Sequence, residues 1–367
     1  MLIYLIIAII IILYSFLGKV NKTNKRKKIY LFFCFGLLTI IAMLRNVSVG
    51  TDLFKIYAPI FERVKDLRIN ELSNINIEIG YVYLNKIIAM INPSVSTLII
   101  VTSIVTIPMY GIFIYKNSED VAISTMMYVL LNSFFMSLSM LRQGIAITII
   151  LIAYEYLKKD NIKKFIILIL IATTIHASAI ITLMFIPLKK ACFTKKFFYI
   201  SFFIIAMVVL LYKPIINIYS DITTALNLTT NKDYAEYVGT KNNGEGQINV
   251  LSITNFIMAL SIYLLGYIYT KRQNMSQEEF FYMYCAFFYL LSITSTFVMG
   301  VIGRLSHYFL PFVLLLFSSI IKKIKNNKEK QLVFFVFFSY MLVKYLYVLF
   351  FLAKDLYGVT PYCFLWN

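Results

Sequence analysis

The sequence predicts an all-α protein that crosses a lipid bilayer many times. Hydrophobic residues make up 60% of its 367 residues, only 14% are charged, and the mean hydropathy is +0.79. Apolar residues recur in runs of about 15 to 23, close to the 20 or so that a transmembrane helix needs. We therefore expect a single integral membrane domain over residues 1–367, with about 10 to 12 transmembrane helices.

The basic residues lie in short clusters between the apolar runs, although the formal net charge is +18. Such clusters are typical of cytoplasmic loops rather than of a nucleic-acid-binding surface, so no nucleic-acid partner is predicted. The four cysteines lack the spacing of a disulfide framework or a metal site, and no zinc, P-loop or dinucleotide motif is present. The sequence therefore predicts neither a metal nor another cofactor.

The charge pattern also predicts the topology. The first apolar run, 1–17, lacks a basic start and a cleavage site, so we interpret it as a retained span. Six basic residues follow within 19–28, which places that loop in the cytoplasm and the N-terminus outside. Two segments, 45–93 and 214–248, are predicted as external loops, the first with a short interfacial or re-entrant helix over 81–91. Further spans, which leave the C-terminus outside, are predicted over 29–44, 94–115, 121–140, 143–157, 197–213, 249–270, 280–301, 307–321 and 331–352.

Residues 165–188 are predicted to form a hairpin of two short helices that meet near His176, rather than one span. A single span would place the lysines at 189–196 outside and would invert every later loop against the positive-inside bias. Non-helical backbone within a membrane is tolerated only where it is buried in protein or lines a wet cavity. The break at His176 is therefore a candidate functional position.

The predicted topology collects several charged or titratable side chains on the outer side, although none of them was used to orient the helices. A charge at membrane depth is costly unless it is solvated, paired or bound to a ligand. Each arginine alone could simply extend its head to the lipid headgroups. Three together indicate a phosphate site, which the fixed fork of guanidinium donors suits. The residues are Arg45, Asp52, Glu78, Arg142, His176, Arg304 and His307.

Histidines and carboxylates on this side offer proton acceptors. Imidazole titrates near neutral pH, so His176 could take or donate a proton. It could equally be a buried ring bonded to a backbone carbonyl that the break frees. Asp52 and Glu78 are suited to orient an arginine or to accept a hydroxyl proton. His307 follows Arg304 by three residues and so shares a helix face with it.

Five short motifs occur in order along the chain: Arg45-x-x-x-Val49-Gly50-Thr51-Asp52-x-x-x-x-Tyr57, Glu78-Ile-Gly80-Tyr81-x-x-Leu84-Asn85, Leu141-Arg142-Gln143-x-x-Ala146, Phe165 followed by Ile171-Ala172-x-x-x-His176-Ala-Ser178-Ala179, and Gly303-Arg304-x-x-x-Tyr308-Phe309. Their set and order resemble the EpsG family, which belongs with the Wzy-like O-antigen and capsular polysaccharide polymerases. The resemblance covers most of the chain.

The resemblance implies a polymerase that joins oligosaccharide repeat units carried on undecaprenyl diphosphate, at the outer face of the bacterial cytoplasmic membrane. It implies a fold like that of the GT-C-type lipid-sugar transferases, and catalysis without a metal. The expected partners are the undecaprenyl-diphosphate-linked oligosaccharide, the bilayer, a chain-length regulator and a flippase. The implied glycosyltransferase would act in exopolysaccharide, capsule or O-antigen synthesis.

In that reaction a sugar hydroxyl attacks an anomeric carbon, and the lipid diphosphate leaves. Preorganised cations aimed at the leaving phosphate lower the barrier to such a step. We assign this catalytic role to Arg142 and Arg304. His176 is the preferred base for the hydroxyl, and Glu78 is the alternative.

Substrate-binding roles are predicted around these groups. Arg45, held by Asp52, is expected to shape the rim where the lipid diphosphate enters. His307 is expected to bind beside Arg304. The rings of Tyr57 and Tyr81 could stack on a sugar.

The main alternative function is transport of polysaccharide or lipid-linked oligosaccharide, by a flippase or an exporter. Broken helices and inward arginines suit such a protein as well. A flippase needs charges along a path through the membrane, whereas most charges here gather on one side. Lys86, Glu155 and Lys344 are the exceptions. A ligase or an O-acyltransferase acting on the same glycan is a further alternative.

Overall fold

The computed structural model describes residues 1–211, 249–272, 275–297 and 300–366. The predicted external loop 214–248 lies outside these described residues. Helices make up almost all of the described chain, and an isolated bridge between Arg45 and Phe364 is the one β-type pairing found within it. The prediction of an all-α polytopic membrane protein is confirmed.

The helices of the described residues fall into two compact units. The first comprises Met1–Ile186 and Ile321–Asn367, and the second comprises Pro187–Ile320. In chain order, α1 to α16 span Leu2–Leu17, Asn24–Met43, Ala58–Asp66, Ile79–Ile91, Val95–Asn117, Val121–Leu130, Ser133–Ser139, Leu141–Lys158, Ile162–Ile175, Phe185–Lys190, Lys195–Leu210, Val250–Arg272, Gln277–Ser295, Ser306–Lys323, Asn327–Tyr347 and Ala353–Leu356.

Polar caps set where many of these helices begin. The first backbone N–H groups of a helix have no partner within it, and a Ser, Thr, Asp or Asn side chain can accept from them. Asp120, for example, accepts from Ala122 and Ile123 at the start of α6. The same device begins α2, α5, α9, α11, α13 and α15 at Thr23, Ser94, Asn161, Thr194, Ser276 and Asn326.

Four segments of the described chain are long and apolar enough to cross a membrane, or five if a bent pair counts as one span. They are Val95–Asn117, Val250–Tyr269, Ile302–Lys323 and Asn327–Leu356, with Val121–Leu130 plus Ser133–Ser139 as the bent pair. The predicted 10 to 12 spans also include helices such as α1 and α2, which are shorter or carry charges in an end turn. The chain is thus a multi-pass membrane protein.

Two helix breaks lie within predicted membrane segments. α9 ends at Ile175, His176 is extended with φ −149° and ψ 108°, and a 3-10 helix follows over Ala177–Met184. The predicted break near His176 is therefore confirmed. The predicted single span 121–140 is wrong in one respect, because α6 and α7 meet at 54° across Asn132, whose φ is +62°. Asn is among the few residues that adopt this left-handed conformation at low cost.

A buried apolar cluster in the first unit supports the site. It joins residues of α3, α4, α5, α8 and α9, with Leu141 and Ile145 at the start of α8 and Ile175 at the end of α9. The short helix α4, which covers the predicted interfacial helix 81–91, packs against α3, α5 and α9. The cluster therefore fixes three helix ends next to one another.

Candidate active site

Three helix ends meet at the candidate site in the first unit, and each contributes one polar side chain. Glu78 immediately precedes α4, Arg142 lies in the first turn of α8, and His176 ends α9. Arg142 and His176 each lie next to a break in helical structure. α7 stops at Ser139 before α8 starts at Leu141, and His176 leaves helical conformation.

Glu78 is the hub of this cluster. Its Oε2 forms an ion pair with Nη1 of Arg142. Its Oε1 accepts a hydrogen bond from the backbone N–H of Ala177 at 3.0 Å, and Nδ1 of His176 lies 3.4 Å from the same oxygen. A distance of 3.4 Å is long for a hydrogen bond, so this last contact is mainly electrostatic. One carboxylate thus positions both the guanidinium and the imidazole.

Gly80 allows α4 to approach the end of α9 closely enough for this contact. A Cβ atom at Gly80 would lie 2.3 Å from Oγ1 and 2.7 Å from the carbonyl oxygen of Thr174. Such distances are far below van der Waals contact, so a larger residue would push the helices apart. The Glu78-Ile-Gly80 spacing therefore has a physical basis: the glycine seats the helix that begins at Glu78 against the turn that holds His176.

Tyr57 and Tyr81 line the inner side of the cluster. The guanidinium carbon of Arg142 lies 5.5 Å from the ring centroid of Tyr57 and 6.0 Å from that of Tyr81. Both tyrosines are buried, and their rings pack edge to face. Cations are attracted to aromatic faces at these distances. The predicted role in sugar stacking does not fit this burial, and the structure instead gives the two rings a role in holding Arg142.

The cluster is partly open, and its carboxylate is ionised. The side chains of Arg142, Glu78 and His176 are 18%, 19% and 14% exposed. Burial by itself would raise the pKa of Glu78, but the neighbouring His176, the charge of Arg142 and the N–H of Ala177 together lower this pKa to about 2. A carboxyl with so low a pKa is a poor proton acceptor at neutral pH, whereas it orients its neighbours well.

Arg45 does not lie at a rim. It is fully buried, and its guanidinium donates to the carbonyl oxygens of Ala42 and Leu138 and to the hydroxyl of Ser103. The predicted pairing with Asp52 is not among the contacts of Arg45 in the described residues. Asp52 is half-buried, and its backbone N–H donates to Oγ of Ser139 at 3.3 Å. The predicted entrance role of Arg45 is therefore wrong, because its buried guanidinium is hydrogen-bonded to carbonyl groups at the ends of two helices.

Arg304 and His307 belong to the second unit. Arg304 is half-buried in a 3-10 turn over Gly300–Leu305, and His307 is half-buried in the first turn of α14. The three-residue spacing brings the Arg304 guanidinium close enough to the His307 ring for an electrostatic interaction. Their place at the same site as Arg142 stays a prediction.

A C-terminal strap, residues 357–365, was missed by sequence reasoning. The backbone N–H groups of Gly50 and Thr51 each donate at 2.8 Å to Gly358 and Tyr357, respectively. Asn46 donates to Cys363, and Leu365 donates to Leu44, both at 2.9 Å. The strap therefore fixes the stretch 44–51 that leads into the site. Gly358 adopts a left-handed backbone conformation in the strap, with φ +63°.

Two of the three charges that could have lined a transport path have local roles. The ammonium group of Lys86 donates to the carbonyls of Lys65 and Leu67 and so caps the end of α3. Glu155 accepts from Nδ2 of Asn117 at 2.8 Å and lies 3.8 Å from Nζ of Lys158. Lys344 is buried within α15. Among the described residues, no group of three His, Cys, Asp or Glu side chains could hold a metal ion.

Comparison with known proteins gives one family. The family model described as the EpsG family matches residues 28–364, which includes every side chain of the cluster. No curated protein and no solved structure matches the chain.

Proposed function

The chain belongs to the EpsG family, and from that premise we propose that it joins lipid-linked oligosaccharide repeat units into a polysaccharide. Family membership supports a polymerase-like role in polysaccharide biosynthesis. Our proposal adds the substrate, repeat units on undecaprenyl diphosphate, and the place, the outer face of a bacterial cytoplasmic membrane. It also adds an orientation with both termini outside.

The observation that carries the proposal is the single carboxylate of Glu78 that holds both Arg142 and His176. In the proposed reaction the hydroxyl oxygen of the acceptor sugar bonds to the anomeric carbon of the donor. The bond from that carbon to the diphosphate oxygen breaks, and its electron pair stays on the diphosphate. The hydroxyl proton must go to a base. A site for this step needs one cation and one proton acceptor.

Arg142 is the proposed cation for the leaving diphosphate. A guanidinium has five N–H donors, and Glu78 engages the donor on Nη1. Nε of Arg142 is buried without a hydrogen-bond partner among the described residues, and leaving such a donor unmade costs about 1–3 kcal/mol. The exposed part of the side chain, 18% of it, is where a phosphate oxygen would meet this guanidinium and gain charge stabilisation in the transition state.

His176 is the proposed base, and Glu78 is a positioning residue rather than a base. The low pKa of Glu78 argues against proton uptake at neutral pH. Its charge beside Nδ1 of His176 favours the tautomer that carries the proton there, which makes Nε2 the atom that accepts from the sugar hydroxyl. The arrangement parallels the carboxylate–imidazole pair of other enzymes in which a carboxylate orients a catalytic histidine.

A product ladder would test the proposal directly. The purified full chain, in lipid nanodiscs, would be mixed with undecaprenyl-diphosphate-linked oligosaccharide extracted from cells that lack the polymerase gene. We expect products that increase by one repeat unit at a time, with release of undecaprenyl diphosphate. The same lipid would be placed in sealed proteoliposomes as a second arm. Translocation without any ladder would reject the polymerase in favour of a flippase.

A further inference from the structure

A groove between α5 and α8 lies far from the Glu78 cluster, toward the other end of α8. Lys159 follows Arg142 by 17 positions, which corresponds to about 25 Å along a helix. The groove has a volume of about 380 Å³. Its lining residues are Met109, Ile112, Phe113 and Lys116 from α5, and Leu151, Ile152, Glu155, Tyr156 and Lys159 from the end of α8.

The lining changes from apolar to basic along the groove. On α5 the lining positions Met109, Ile112, Phe113 and Lys116 recur every three or four residues, so they form one helix face that ends in a lysine. Ile112 is 46% exposed, although it lies in a predicted span. The apolar part therefore opens to the surroundings of the helices, which are hydrocarbon in a membrane, and the basic part opens where the helices end.

The positive charges at the mouth are not neutralised by the protein. Within the described residues, neither Lys116 nor Lys159 has an acidic partner, and both side chains are exposed. Lys164 adds a third cation, because its Nζ lies 5.2 Å from the ring centroid of the lining Tyr156. The one acid of the groove, Glu155, is instead engaged by Asn117 and Lys158.

We propose that this groove binds an anionic glycerophospholipid, with an acyl chain along Met109, Ile112 and Ile152 and the phosphate between Lys116 and Lys159. Basic pockets between transmembrane helices are suited to such headgroups, and each lysine near the surface contributes about 1 kcal/mol to attraction of an anionic lipid. A zwitterionic lipid could fill the same apolar part but would gain little from the lysines. The ligand is therefore selected by charge, in the leaflet that the lysine-rich helix ends face.

Native mass spectrometry of the purified full chain would test the proposal. The delipidated protein in detergent would be titrated with phosphatidylglycerol and, separately, with phosphatidylcholine of the same acyl chains. We expect tighter binding of phosphatidylglycerol. The double variant Lys116→Gln/Lys159→Gln should weaken phosphatidylglycerol binding by about 25-fold, about fivefold for each lysine, and should leave phosphatidylcholine binding unchanged.

Two further variants separate this site from general surface charge. Lys325→Gln/Lys328→Gln removes two exposed lysines, one just before α15 and one in its first turn, and should leave both lipids bound as before. Ile112→Trp fills the apolar part and should weaken both lipids. Equal binding of phosphatidylglycerol by the wild type and by Lys116→Gln/Lys159→Gln would overturn the proposal. Tighter, lysine-dependent binding of undecaprenyl phosphate in a third titration would overturn it too, in favour of the polyprenyl carrier.

Discussion

Arg45 and Arg142 show how differently one residue type is used in two regions of the same unit. Both lie at an end of an apolar helix, since Arg45 follows α2 and Arg142 lies in the first turn of α8. Arg45 is fully buried and donates to the carbonyls of Ala42 and Leu138. Arg142 is 18% exposed and pairs with the ionised Glu78. The first arginine stabilises helix ends inside the protein, whereas the second is the one that we propose binds the leaving diphosphate.

Helix geometry explains the difference. The last carbonyls of a helix have no partner within it and carry the negative end of the helix dipole. Ala42 lies in the last turn of α2, and Leu138 lies in the last turn of α7. Arg45 therefore caps the C-terminal ends of two helices at once, and its positive charge interacts favourably with both helix dipoles. Within the described residues, Arg142 caps no helix end, and its counter-charge comes from Glu78, a side chain 64 positions away.

Arg142→Ala is the change with the largest expected effect on activity. Loss of one preorganised donor at a developing oxyanion typically costs on the order of 10²–10³ in rate. We expect the yield of the product ladder per folded protein to fall by that factor. Normal polymer length and yield from this variant would contradict the claim that Arg142, unlike Arg45, acts in the reaction. Arg142→Lys, which keeps the charge but not the fork of donors, should recover only part of the activity.

Glu78→Gln should have the next largest effect. The amide cannot hold Arg142 and His176 by charge, and loss of such an orienting partner typically costs about 10- to 100-fold. Glu62→Gln is the matched control, because Glu62 forms an ion pair with Lys65 three positions away that is 47% exposed on its acidic side. Surface pairs of this kind contribute about 0–1 kcal/mol. Equal activities of the two variants would show that the hub is not functional.

The pH dependence of stability should report the same ion pair. The pKa of Glu78 is lowered from its usual 4.5 to about 2 in the folded protein. Its stabilising effect is therefore fully present above the unfolded value and is lost as pH falls through the folded value. We expect the difference in thermal unfolding midpoint between wild type and Glu78→Gln to be constant from neutral pH down to 4.5. It should then shrink toward pH 2.

Gly80→Ala should reduce activity by roughly tenfold, because a partial shift of α4 misplaces Glu78 relative to His176. Its added Cβ would meet Thr174 at 2.3 Å, whereas a Cβ at Gly36 in α2 would meet nothing within 4 Å. Gly36→Ala is therefore the control, and helix propensity predicts that it is neutral or stabilising by up to about 1 kcal/mol. Full activity of Gly80→Ala at normal protein level would contradict the close-approach argument.

Arg45→Gln should have the smallest effect on activity per folded protein. It should instead lower the amount of folded protein, since each buried carbonyl left without a donor costs about 1–3 kcal/mol. The amount of folded protein in detergent would be measured by size-exclusion chromatography, and the yield of the product ladder would be divided by that amount. A loss of normalised activity as large as that of Arg142→Ala would place Arg45 in the reaction after all.

The elements that the sequence predicts well are those with a local signal. The break at His176 followed from lysines that had to stay on one side of the membrane. The sequence places Arg142 at the end of a span, His176 at a helix break and Glu78 in an external loop, and it does not show that the three side chains meet. The roles of Tyr57 and Tyr81 were predicted wrongly, because exposure of an aromatic ring depends on packing rather than on its neighbours in sequence.

The elements that were missed depend on long-range contacts or on weak local signals. The bend at Asn132 lies within a nearly continuous apolar run, and one Asn is tolerated in many straight helices. The buried position of Arg45 depends on its hydrogen bond to the carbonyl of Leu138, which lies 93 positions away. The strap pairs with the stretch 44–51 across about 300 positions. No periodicity or spacing in the sequence predicts these long-range contacts.

The strap has a consequence for the order of events during synthesis. Residues 44–51 leave the ribosome long before Tyr357 and Gly358, to which they are hydrogen-bonded. At about 5–20 residues per second, the delay is roughly 15 to 60 s. During that interval the whole second unit is made and inserted, while the backbone N–H groups of Gly50 and Thr51 await their acceptors. A chain that stops before the strap would therefore lack the acceptors for these N–H groups, and we expect a membrane protease to degrade it faster than the full chain.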